Sequence, residues 1–95
     1  MKKLKNGWVE GTVQDFLGLS DADMEFIETR RALSHRLKSE RQKRKLTQTE
    51  LAARLKTSQS RIAKMEAADK TVSLDLLANS LFRLGLSRRD LAKAI

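Results

Sequence analysis

The chain has no cysteine and no proline. The first absence excludes a disulfide framework and a thiolate metal site, and fits a reducing compartment. The second removes the strongest helix breaker and, with β-branched residues few, predicts an all-α protein. Four aromatics in 95 residues are too sparse for a single-strand or RNA-binding sheet. No apolar run exceeds three residues, so neither a membrane span nor a signal-peptide core is readable. A soluble, cytoplasmic chain is expected. A single core in a chain this short buries roughly 60–65% of the unfolded surface, which leaves one domain and little material for a deep cleft. No nucleophile–base pair, metal cluster or phosphate loop is present, so neither an enzyme nor a bound cofactor is expected.

What is present is charge, unevenly placed. The formal net charge is +8. Residues 6–29 hold six acids (Glu10, Asp15, Asp21, Asp23, Glu25, Glu28) and no Lys or Arg. From Arg30 to Lys64 twelve Lys and Arg face only Glu40 and Glu50, a net of +10. Such a stretch is the electrostatic footprint of a polyanion binder, most often of nucleic acid; the plainer reading is a solubilising face. Lys2, Lys3 and Lys5 read as a flexible arm.

Hydroxyl–acid pairs at i, i+3 punctuate the chain: Thr12 and Asp15, Ser20 and Asp23, Thr47 and Glu50, Ser87 and Asp90. Each resembles a capping box, in which a hydroxyl accepts from an orphan amide and the acid sits at the positive end of the helix, the third pair being the best formed. A short helix is expected over 12–17, closed by Gly18. A long one follows over 21–45, with Met24, Ile27, Leu33 and Leu37 towards the core. Helices over 48–55, 59–66, 74–84 and 88–95 complete the chain, and Gly85 is a natural residue just past a helix end. Residues 1–19 read as an extension and 20–95 as the domain.

Between Thr47 and Glu66 two short helices are separated only by Lys56 to Ser58. So tight a link makes helices cross steeply, as in a helix-turn-helix. Ala52 is small where the second helix must approach, Leu51 and Leu55 fill the core, and Ile62 and Met65 anchor the second helix. Ser58 is placed to cap it. Gln59, Ser60, Arg61 and Lys64 then face outward at the end from which a recognition helix reads bases.

The segment "LTQTELAARLKTSQSRIAKME" resembles the Cro/CI-like (XRE) DNA-binding family over about Leu46 to Leu84. With the flanking "GTVQDFLGLSDADMEFIE" and "SLDLLANSLFRLGLSRRDL" it is similar to HigA-type antitoxins and their stand-alone relatives. The resemblance implies a lambda-repressor-like five-helix domain containing a helix-turn-helix (47–66), with a short N-terminal helical extension. It further implies a pair between Gln48 and Gln59, eleven residues apart. Gln59 would bond adenine N6 and N7, while Gln48 braces it and meets a phosphate. Thr47, Ser58, Ser60, Arg61 and Lys64 complete the expected DNA-binding set. Where Lys56 sits, and near Ala68, the family usually has glycine; a non-glycine residue at positive φ costs about 1–2 kcal/mol. Lys56 could offset that cost with a cation beside the phosphates.

Other features carry two readings each. Arg36, Arg41, Lys43, Arg44 and Lys45 are a solvated face or supply one or two phosphate contacts, with Arg41 or Lys45 favoured. Arg54 and Lys56 flank the turn with similar standing. His35 is a surface or packing residue, and Asp21 and Asp23 belong to a cap. Trp8, Phe16, Phe26 and Phe82 read as core or interface anchors. The acidic third solvates its helix starts, or docks a basic protein with Trp8, Val13, Phe16 and Leu17 exposed. The resemblance would supply that partner as a ribonuclease toxin of the HigB/RelE type.

The functional expectation is a sequence-specific transcriptional regulator bound as a homodimer to double-stranded operator DNA, the half-sites about 34 Å apart. The antitoxin of a HigBA-type pair would repress its own operon in this way. The family resemblance places the dimer interface at the last helices, with Leu86, Leu91 and Ile95. The alternatives are a stand-alone XRE-family regulator and a protein-interaction module with an incidental basic face.

Overall fold

The computed structural model describes residues 15–95. Five helices follow one another: α1 (Asp21–Lys43), α2 (Gln48–Leu55), α3 (Gln59–Glu66), α4 (Leu74–Arg83) and α5 (Arg88–Ala94). Residues 15–17 are also helical, and no strand occurs among the described residues. The start expected for that first helix, its Thr12 cap, and Trp8, Val13 and the lysine arm lie outside the described residues.

Local chemistry sets the helix starts. Ser20, Thr47 and Ser87 each close a complete capping box with the acid three residues on. Ser58 accepts from the amide of Arg61, and Ser73, not anticipated, caps α4 through the amide of Leu76. The helix ends share one device. After α1, α2, α3 and α4 the chain turns through a left-handed residue: Lys45, Lys56, Ala68 and Gly85. In each case the next amide bonds back five residues: Leu46 to Arg41, Thr57 to Ala52, Asp69 to Lys64, Leu86 to Leu81. These are Schellman closures, and only the last uses the residue that tolerates positive φ without strain. The conformation expected at Lys56 and Ala68 is present, with φ of 57° and 55°. Lys45, at 56°, stops α1 at Lys43, two residues short of the expected end.

The core joins Leu33 and Leu37 of α1 to Leu51, Ala52 and Leu55 of α2, Ile62 and Met65 of α3, and Leu77 and Leu81 of α4. Val72, Leu84, Leu86 and Leu91 close it. Each of these side chains larger than Ala52 contributes roughly 1.5–3 kcal/mol by leaving water. Three expectations fail here. Met24 and Ile27 are only half-buried, because α1 runs past the body that covers its second half. Phe16, Phe26 and Phe82 are exposed, so of their two readings, core or interface anchor, the core one fails. Leu86 and Leu91 are 9% and 8% exposed, so of the three residues expected to pair subunits only Ile95 is free to do so.

Candidate nucleic-acid interface

Helix α3 is held by one face and open on the other. Ile62 and Met65 are 0% and 1% exposed, while Gln59, Ser60, Arg61 and Lys64 lie in solvent. The three-residue link Lys56 to Ser58 joins it to α2 as expected. Ser58 caps its start, and Ser58 and Ser60 place their hydroxyls 3.3 Å apart. Ser58, Ser60, Arg61 and Lys64 share an open polar groove with Thr71, Val72 and Leu76 from the segment after α3. Thr71 is turned by Asp69, whose carboxylate accepts from its amide (2.8 Å) and hydroxyl (2.6 Å). Those bonds hold the Asp69 carboxyl below its usual range.

The structure brings the two glutamines together. Gln59 Nε2 donates to Gln48 Oε1 at 2.7 Å, and Gln48 Nε2 donates to Glu66 Oε1 at 3.2 Å. Glu66 in turn receives Arg41, Nε to Oε2 at 2.6 Å and Nη2 to Oε1 at 3.0 Å. Chemistry fixes the direction of this chain. An ionised carboxylate only accepts, so Gln48 must turn its NH2 to Glu66 and its carbonyl to Gln59. Gln59 must then give one N–H to Gln48. It keeps an oxygen acceptor and one N–H on the solvent side, the pair that complements adenine N6 and N7 in the major groove.

Glu66 was not anticipated as part of the site. Its signal is spacing: it stands seven residues after Gln59 on the same helix and is the one acid of α3.

Arg41 was expected on a phosphate, and the structure corrects this. Its side chain is 14% exposed, bidentate to a Glu66 side chain that is 4% exposed, and its Nη1 also donates to the carbonyl of Leu46. The bond to Glu66 raises its pKa above the usual guanidinium value. It holds α1, the α1–α2 link and α3 together, 25 residues apart in sequence. Most of the rest of the basic run is also engaged. Glu40 accepts from Arg36 (3.0 Å), Lys43 (3.5 Å) and Arg44 (2.8 Å), and Arg44 reaches the carbonyl of Leu84. Lys45, Lys56, Arg61 and Lys64 are exposed, and none forms an ion pair within the described residues. Thr47 closes its capping box with Glu50, which directs the amino end of α2 and Gln48 to the same side as Gln59.

Two short helices on a three-residue link, the second anchored by Ile62 and Met65 beneath a polar outward face, define a helix-turn-helix domain. Residues 37–79 match the family model described as helix-turn-helix, a span that contains Arg41, Glu66 and both glutamines. This match supports a DNA-binding transcription regulator. No curated protein and no solved structure matches the chain significantly. No helix among the described residues is long and apolar enough to cross a membrane.

Proposed function

We propose that the chain is a homodimeric, sequence-specific repressor that reads one operator half-site per subunit with α3. The observation that carries this reading is the Arg41–Glu66–Gln48–Gln59 chain, which orients one exposed amide as an adenine reader. Residues 20–95 are the DNA-binding unit and 1–19 an extension. Ser60, Arg61 and Lys64 face the groove beside Gln59. Thr47, Gln48, Lys45, Lys56 and Ser58 lie where the backbone would pass the helix starts.

A narrower reading makes the protein the antitoxin of a basic ribonuclease toxin of the HigB/RelE type, repressing its own operon. Its support is the acidic stretch before Arg30 with Phe16 and Leu17 exposed at its head, 87% and 59%. Opposite charge would steer a basic partner onto it. The stand-alone regulator has the same DNA face and lacks this partner.

The experiment is a gel shift with the DNA upstream of the gene, repeated across salt concentrations. A shift whose affinity falls by roughly 0.9 log units per phosphate contact for each log unit of salt supports the DNA reading. Failure to shift any duplex at low salt contradicts it and favours a protein-interaction module. For the antitoxin, the neighbouring reading frame should encode a small basic protein that co-purifies with this chain. Neutralising the six acids Glu10, Asp15, Asp21, Asp23, Glu25 and Glu28 should slow their association at low salt, and an unchanged on-rate contradicts the docking role.

A further inference from the structure

Phe26, Leu33 and Leu37 stand at i, i+7 and i+11 and share one face of α1. The two leucines are 4% and 0% exposed in the core, whereas Phe26 on the same stripe is 57% exposed. Arg30, between them, donates through Nε to the carbonyl of Val72 at 3.1 Å and marks where α1 leaves the body. Ahead of it about 15 Å of helix, at 1.5 Å per residue, carries the core-facing stripe onward, and among the described residues no helix lies beneath Phe26.

We propose that a second copy of this chain covers that stripe, the two α1 helices crossing antiparallel at Phe26 about a two-fold axis. The proposal rests on the reading of the functional unit as a dimer and names its interface. Charge selects this occupant. In an antiparallel pairing centred on Phe26, Asp23 of one copy falls against Thr29 and Arg30 of the other, and the two-fold axis makes this contact twice. Ala22, on the same side, is small enough for the helices to approach closely. Asp21, Glu25 and Glu28 (i, i+4, i+7) occupy the opposite face, so the acids do not oppose one another across the seam.

The carboxyl-terminal corner offers the reverse. Ile95 is 67% and Phe82 43% exposed, but α4 and α5 also carry Arg83, Arg88, Arg89 and Lys93, all in solvent. A two-fold contact there sets like charges together, which disfavours it.

The absence of cysteine makes the test direct. In the full chain, Phe26→Cys under mild oxidation should give a disulfide-linked dimer on a denaturing gel, and Ile95→Cys should give none. By analytical ultracentrifugation the wild type should be a dimer. Phe26→Glu, with helicity checked by circular dichroism, should raise the dimer dissociation constant by at least roughly a hundredfold, about tenfold for each ring removed. Three results would overturn the proposal. One is a wild type monomeric to millimolar concentration at low salt, which leaves the stripe to a different protein. Another is cross-linking by Ile95→Cys with Phe26→Glu still dimeric, and the third is a wild-type species larger than a dimer. Failure of the DNA reading is distinguishable, because a dimer that cross-links at Phe26 yet shifts no duplex would sink that reading alone.

Discussion

Glu40 and Glu66 are both buried carboxylates that gather cations, and their surroundings differ in one respect that decides their roles. Glu40 is met by Arg36, Lys43 and Arg44, whose side chains are 29%, 71% and 30% exposed. Its cluster ends at the carbonyl of Leu84 and ties α1 to the end of α4. Glu66 is met by one arginine whose side chain is only 14% exposed, and by Gln48, which passes the arrangement to Gln59 at the surface. The first cluster fastens two helices. The second converts a buried charge into the orientation of an exposed amide.

Breaking each cluster from the cationic side gives the largest contrast. Arg41→Ala leaves Glu66 charged, buried and without its guanidinium, which should cost about 3–5 kcal/mol in urea denaturation. Arg36→Ala leaves Glu40 two other cations and should cost about 1 kcal/mol or less. Equal losses would erase the distinction between the clusters. Next in size are the strained helix ends. Lys56→Gly should raise stability by about 1–2 kcal/mol, as should Ala68→Gly, read by thermal melting. If Lys56→Gly also leaves the salt slope of DNA binding unchanged, Lys56 makes no phosphate contact.

The basic run supplies the third contrast. Lys45→Gln should flatten the slope of log affinity against log salt by roughly 0.9, the signature of one lost phosphate contact, while Arg44→Gln leaves the slope in place. The smallest effect is on the acid limb of stability. Burial pushes the Glu40 carboxyl up, and the Arg36 hydrogen bond with the charges of Lys43, Arg36 and Arg44 outweighs it, leaving a net value below the ordinary 4.5. A carboxyl lowered on folding stabilises fully above its unfolded value and loses that contribution as pH falls towards its folded one. Urea midpoints should therefore fall as pH drops from about 5 to about 3, and less steeply in Glu40→Gln.

These contrasts separate what was legible in the sequence from what was not. The helix starts were legible because a capping box is a contact over three residues, and Ser20, Thr47 and Ser87 all form it. The motif was legible because Leu51, Leu55, Ile62 and Met65 keep helical spacing on either side of a short link. The glutamine pair came from the family resemblance, and the geometry agrees with it. The fate of Arg41 was not legible. Its partner lies 25 residues away, and nothing local separates it from Lys45. Nor does amphipathic spacing say where a covering helix stops, so Met24 and Ile27 read as core, and Phe26 as core or interface, although α1 outruns the body. Leu86 and Leu91 show the converse: apolar residues near a chain end fit an interface or a core equally well until the packing is known.

The most direct test of the amide chain is an unbiased selection of bound duplexes from a random library, run on the wild type, Gln59→Ala and Gln48→Ala. The wild type should enrich an adenine at one position of each half-site. Gln59→Ala should lose that preference alone, by about 1–3 kcal/mol, and Gln48→Ala should weaken it at the same position. A Gln59→Ala protein that keeps the adenine, or loses every position equally, would contradict the reading of Gln59 as an oriented base reader.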